Sequence, residues 1–321
     1  MVMMMMTPAR SLAQIVHLLV GFSAAVWAGD IQNYLSKFEG SNHQWYPTSF
    51  TRDIVPKPIH SHNDYWRKVP LYDAISVGCI SVEVEVWHFD GDEELYVGYD
   101  LSSLTENRTL NSLYINPLLE ILHCQNPEME FGNNTYNGIF DTDPERTLYL
   151  YIDIKTSGVP TYNSILSHLT PLRPYLTYYN ASSNLTHNGL LTVVLTRNTP
   201  FFEVSLPPTS SSHYARYAFH DAPLLSLSEP DSPYNTTNSL KGTAQFSSIV
   251  GRVSGGEMSE AQKEKLKGVI KSVHDRGIGV RLWDTPNWPV RWRNKVWRGL
   301  IECGVDLLNV DDLWVAAEVG W

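Results

Sequence analysis

Residues 80–87 (ISVEVEVW) alternate without a break between two kinds of side chain. A strand sends successive side chains to opposite faces, so Val82, Val84 and Val86 point one way and Ser81, Glu83, Glu85 and Trp87 the other. Before it, residues 58–62 form a brief extended segment ending in His60 and His62. Leu71, Ala74 and Ile75 then make a small apolar face at helical spacing, which Gly78 stops. Two carboxylates on one strand face, with two imidazoles at the end of the strand before it, are the makings of a metal and acid–base site. Where both faces of a sheet are covered, inward charges need partners. On a half-wet sheet Glu83 and Glu85 would be only the solvated side.

Further along, 95–99 reads as another short strand. Asn116 is predicted to cap a helix that has Pro117 at its first position and buries Leu118, Ile121 and Leu122. The stretch 125–146, rich in Asn, Gly, Asp and Pro, reads as an exposed loop. A strand over 147–154, a helix over 162–176 broken by Pro171 and Pro174, and a strand over 190–196 follow. Residues 198–239 are loop-rich around one apolar patch, 214–219. Ser259 and Gln262 form a capping box for a helix with Leu266, Val269, Ile270 and Val273 on one side, ended by Gly277. A strand over 278–283, a helix over 290–303 closed by Gly304, and a strand over 306–310 complete the chain. Strands alternating with amphipathic helices predict a parallel α/β sheet, closed or wound. There is no internal repeat and no Gly-rich nucleotide loop.

The 321 residues suffice for one large core. A closed α/β barrel takes about 250 residues. That fits a leader over 1–28, a lead-in over 29–57 and one domain over 58–321. Arg10 precedes an apolar run from Leu12 to Ala28, slightly short for a membrane span, with Val26 and Ala28 where a signal peptidase wants small residues. A secreted product with no span left after cleavage is expected, and five sequons, at Asn107, Asn133, Asn180, Asn184 and Asn235, fit a glycoprotein. A net charge of −10 excludes a nucleic-acid footprint and simple adhesion to anionic membranes. Cys79, Cys124 and Cys303 are odd in number and far apart, so one disulfide with a free thiol and three unpaired thiols both remain open.

HSHNDYWR (60–67), VEVEVW (82–87) and ELYVGYD (94–100) resemble the fungal family called altered inheritance of mitochondria protein 6. The similarity runs from about residue 55 to the C-terminus and takes in YIDIK, FHDAPL, RLWDTPNWP and GVDLLNVDD. The resemblance implies a TIM-type (β/α)8 barrel of the phospholipase-C-like phosphodiesterases, related to glycerophosphodiester phosphodiesterases and more distantly to spider sphingomyelinase D. It further implies His60 as the first catalytic histidine, Glu83, Glu85 and Asp153 as ligands of a divalent metal, and Lys155 as the cation beside the phosphate. Tyr99 falls where that superfamily has its second catalytic histidine, in a motif that would read V-G-H.

The chemistry of such a site is coherent. A hard cation, Mg²⁺ or Ca²⁺, suits three carboxylates and stabilises charge that develops on phosphoryl oxygens. A histidine near neutrality can take and return a proton. Arg67, Trp283, Asp284 and Asp311 are expected at the mouth as contacts to a small or lipid phosphodiester. A phenol can donate a proton to an alkoxide but makes a poor neutral-pH base, so His62 is the substitute, with His88 on the wrong strand face. Each assignment has a plain competitor: structural histidines, an Asp153–Lys155 ion pair on the strand, Asn63 and Asp64 as a turn and helix cap. Two functions stay open, a secreted phosphodiesterase and a silent barrel that binds a phosphorylated headgroup. A glycosidase is weaker, because Glu83 and Glu85 share one strand rather than facing across a cleft.

Overall fold

A computed structural model describes residues 51–127, 136–205, 214–319 and 321. The expected leader, residues 29–50 of the lead-in, the sequon at Asn133 and part of the Pro/Ser-rich stretch after residue 205 lie outside the described residues.

The strands are β1 (Lys57–Ser61), β2 (Cys79–His88), β3 (Leu95–Val97), β4 (Leu148–Ile154), β5 (Tyr178–Asn180), β6 (Leu185–His187), β7 (Leu191–Arg197), β8 (Ala215–Arg216), β9 (Ala218–Pro223), β10 (Ser239–Gln245), β11 (Gly279–Trp283) and β12 (Leu307–Val310). Eight of them, β1, β2, β4, β7, β9, β10, β11 and β12, pair in parallel, each with the next. β12 pairs with β1, so the ring closes into the expected (β/α)8 barrel. β3 hangs antiparallel on β2, and β5, β6 and β8 form a small antiparallel sheet of their own.

Register decides what meets inside the ring. Glu85 lies opposite Asp153, His60 opposite both Ser81 and Asn309, and Tyr149 opposite Thr192. The other face of β2, with Val82, Val84 and Val86, is fully buried, as are Ile152 and Ile154 of β4. Amphipathic helices cover the outside of the barrel, among them Glu260–His274, which packs beside β11 and buries Leu266, Ile270 and Val273. Its Ser259–Gln262 capping box is formed as read, and Val290–Cys303 ends at Gly304 in the left-handed region (φ 91°).

Three local readings change. Asn116 caps nothing, because a π-turn over Asn111–Ile115 runs straight into the helix Asn116–Gln125. The helix expected to reach 176 is Gly158–His168, followed by a 3-10 segment Thr170–Tyr175, since Pro171 and Pro174 cannot donate to a continuing α-ladder. β10 has no counterpart in the sequence reading: SLKGTAQ carries little β-propensity and holds its place by pairing on both sides. The three cysteines are unpaired thiols. Among the described residues no helix is long and apolar enough to cross a membrane.

Candidate functional site

At the C-terminal ends of the strands opens a cavity of about 900 Å³, the end of such a barrel where chemistry is ordinarily built. His62, Glu83, Glu85, Tyr99, Asp153, Lys155, Trp283, Asp284 and Asp311 all line it. His60 and Arg67 do not.

The wall formed by β2 and β4 carries the first cluster. Lys155 leaves β4 with its Nζ 2.6 Å from Glu85 Oε1 and 3.0 Å from Asp153 Oδ2, and Arg197 Nη1 stands 3.4 Å from the same Asp153 oxygen. The nearby Tyr65 hydroxyl donates to Asn63 Oδ1 at 3.2 Å. The second oxygen of each carboxylate, Glu85 Oε2 and Asp153 Oδ1, is buried with no hydrogen-bond partner. Burial pushes both acids above the usual carboxylate range, against the pull of Lys155. Buried oxygens left without a donor are costly, so something belongs beside them.

A second cluster, on β1, β2, β9, β11 and β12, forms the floor. Its hub is Arg281, 4 % exposed by side chain, whose Nη1 lies 2.5 Å from His60 Nε2, 3.1 Å from Asn309 Oδ1 and 3.3 Å from Glu83 Oε2. Nη2 reaches Asp221 Oδ2 at 3.5 Å, and the guanidinium sits 4.5 Å over the Tyr151 ring. His60 Nε2 also stands 3.0 Å from Glu83 Oε2. A guanidinium only donates and a carboxylate only accepts, so a neutral ring answers Arg281 as acceptor or Glu83 as donor, while Nδ1 meets Ser81 Oγ at 2.7 Å in either tautomer. Burial, and then the charge of Arg281, push the His60 pKa down to about 3. The imidazole expected to move protons is therefore neutral, without exposed surface and already committed. Glu83 is driven upward by burial but held well below the usual range by Arg281, so it stays ionised.

His62, two residues on, takes the position on the cavity wall. Its Nδ1 is 2.8 Å from Asp311 Oδ1, and Asn287 holds the other Asp311 oxygen at 3.3 Å. Burial works to lower the His62 pKa, but the Asp311 hydrogen bond and charge raise it above its ordinary value. Arg67 spends its guanidinium on Ser61 Oγ and on the backbone carbonyls of His62 and Asp311, so it fastens β1 to β12 rather than facing a substrate. Asn63 occupies a left-handed turn (φ 48°), and Asp64 is a buried anchor accepting from Ser61 Oγ, Leu71 N and the Tyr114 hydroxyl. Tyr99, 54 % exposed, packs on Trp66 at 5.4 Å between centroids, with Lys155 Nζ 6.0 Å from its ring. Trp283 and Asp284 meet the mouth as read, Asp284 accepting from Gln245 at 2.6 Å.

The three expected metal ligands thus face one cavity but divide between two cations of the protein itself. Among the described residues no group of three His, Cys, Asp or Glu side chains is arranged to grip a metal ion. The two orphaned oxygens of Glu85 and Asp153 fit a hard cation, whereas Glu83 Oε2 is already taken by Arg281. Arg281, Asp221 and Tyr151 lay within quoted motifs without a role. Their signal was available: a charge in mid-strand, two residues from the next inward position, is as anomalous in GVRLW as in VEVEV.

A model described as AIM6-like phosphodiesterase domain matches residues 48–221. A protein of Arthroderma benhamiae, "Altered inheritance of mitochondria protein 6 homolog", is 40% identical over 295 residues, 88% of this chain and 90% of the relative. The Zygosaccharomyces rouxii protein "Altered inheritance of mitochondria protein 6" is 34% identical over 291 residues, covering 84% of this chain and 70% of its own length. Among solved structures, a glycerophosphoryl diester phosphodiesterase from Parabacteroides distasonis overlaps 90% of each chain at 10% identity with a TM-score of 0.42, too loose a likeness to carry an argument. Motifs, extent and identity agree: the chain belongs to the altered inheritance of mitochondria protein 6 family and carries its phosphodiesterase domain.

Proposed function

We propose that this protein is a secreted, metal-dependent phosphoric diester hydrolase acting on glycerophosphodiester or lysophospholipid-like substrates. The observation that carries the reading is the pair of unpartnered buried oxygens, Glu85 Oε2 and Asp153 Oδ1, on carboxylates that line a cavity together with Lys155 and Arg281. A divalent cation, Mg²⁺ or Ca²⁺, would be held by those two carboxylates and, when bound, would stabilise charge on phosphoryl oxygens. Lys155 supplies a point charge to the phosphate beside it. Arg281 keeps Glu83 ionised and His60 neutral, so neither of those two is placed to move the proton. His62, not His60, is the acid–base group: Asp311 holds its Nδ1 and leaves Nε2 for the reacting oxygen. Asn107, Asn184 and Asn235 are exposed and Asn180 half-exposed, which suits glycosylation of a secreted product.

Tyr99 favours a second reading, a barrel that binds a phosphorylated headgroup without turnover. Its ring rests on Trp66 at the rim, where no imidazole stands to protonate a leaving alkoxide. The deciding experiment is hydrolysis of a panel of glycerophosphodiesters and lysophospholipids with and without chelator. Loss of activity on chelation and its return with Mg²⁺ or Ca²⁺ is the expected result. Turnover that survives complete metal removal would rule out the role of the carboxylates, and binding without any turnover would establish the silent barrel.

A further inference from the structure

The opposite, N-terminal mouth of the barrel holds a second cavity, of about 720 Å³, with a charge arrangement of its own. Lys241 of β10 lines it with the residue only 8 % exposed, yet among the described residues its ammonium has neither a carboxylate nor a hydrogen-bond acceptor. It stands 4.7 Å from the centroid of the Tyr149 ring. A cation–π contact offsets part of the desolvation of a buried ammonium and leaves its three protons unspent. The neighbouring strand makes room for that head group. A Cβ on Gly279, which pairs with Lys241, would lie 2.4 Å from Nζ.

Hydroxyl bookkeeping on the strand beside Tyr149 gives a second, independent sign. Thr192, which pairs with Tyr149, has its Oγ1 2.9 Å from that of Thr147 and 2.8 Å from that of Thr177, and all three line the cavity. Gly189 N–H donates to Thr177 Oγ1. Three hydroxyls own three protons and the two contacts among them use two, so one O–H remains to donate outward. The cavity therefore offers an unpaired ammonium and a spare hydroxyl donor. Of its acids, Asp143 pairs with Arg146 and Glu145 is exposed. Asp306 shares the Gly279 corner with Lys241, its carboxyl carbon 3.1 Å from the same Cβ position, but makes no ion pair with it and accepts from His274 and Val280 N.

We infer that the N-terminal mouth is an anion site, distinct from the catalytic cavity, that takes a compact oxyanion such as a phosphate group on Lys241 and the Thr147–Thr192–Thr177 hydroxyl chain. Lysine is a familiar point-charge phosphate ligand, and hydroxyls complete the oxygen shell. The inference does not depend on what the other mouth hydrolyses.

The test is titration of the full chain with inorganic phosphate, followed by calorimetry and thermal melting, for the wild type, Lys241→Met and Thr192→Val. The two substitutions are expected to abolish one phosphate-binding component, or weaken it at least tenfold, and to shrink the phosphate-induced rise in Tm. Turnover of diesters in phosphate-free buffer should stay unchanged. Should Lys241→Met fail to fold, Lys241→Arg and Thr192→Ser, which keep the charge and the hydroxyl, must retain binding while Thr192→Val loses it. Phosphate isotherms indistinguishable between wild type and Thr192→Val or Lys241→Met would overturn the site and leave Lys241 a packing residue.

Discussion

The two cationic centres of the C-terminal mouth differ in where their unpaired atoms lie. Arg281 on the floor is surrounded: two carboxylates, an amide oxygen, an imidazole and an aromatic face all converge on it. Lys155 on the wall also meets two carboxylates, but each keeps an oxygen with no donor. Both clusters are buried and both mix acid with base, so charge content alone does not tell scaffold from reaction site. The position of the unpaired atoms does. The floor also has unpaired atoms, Arg281 Nε, Asp221 Oδ1 and the Tyr151 hydroxyl, but neither Asp221 nor Tyr151 lines the cavity, whereas both unpaired oxygens of the wall belong to carboxylates that do.

The sharpest way to break that contrast is Arg281→Met. It strands Glu83 and Asp221 as buried carboxylates and should cost about 3–5 kcal/mol of stability, the usual consequence of removing one side of a buried pair. Urea denaturation measures it, and a midpoint equal to wild type would mean the floor is not held by this hub. Glu85→Gln should do the opposite. Because burial raises the Glu85 pKa, a neutral isostere relieves desolvation, so Tm should hold or rise while diester hydrolysis falls by roughly 10²–10³. A Tm collapse would place Glu85 with the scaffold.

Smaller in effect is Asp311→Asn, which tests the imidazole facing the cavity. Asp311 raises the His62 pKa above 6.5, and that interaction stabilises the fold fully below the unfolded value and is lost as pH rises through the higher folded one. The variant should therefore lose its stability deficit relative to wild type as pH rises through that window. The acidic limb of its kcat/KM profile should also move to lower pH. An unmoved limb would return the proton-transfer role to another group. Tyr99→Phe should change turnover by less than about threefold, since a working general acid contributes roughly 10²–10⁴. A loss of hundredfold would make the phenol the missing acid.

Much of this was legible in the chain. Strict alternation over 80–87 put Glu83 and Glu85 inside, and the capping box, Gly304 and the strand–helix rhythm gave the barrel its order. What stayed hidden depended on partners far away in sequence. His60 and His62 share a strand end, and only Arg281, 221 residues beyond His60, together with Asp311 decides which imidazole is buried and which is free. β10 was invisible for a related reason: a polar strand is defined by its neighbours rather than by its own pattern. Glu83, Glu85 and Asp153 line one cavity as read, but periodicity says which residues point inward, not which inward residues already have a counter-charge, as Glu83 has in Arg281.

Lys155, lodged between Glu85 and Asp153, carries one more consequence. A chain with such a tethered ammonium holds its own placeholder, so the crowded acids are tolerable from the moment the strands meet. Assembly of the barrel need not wait for any ion, and stripping ions away should silence the protein without melting it.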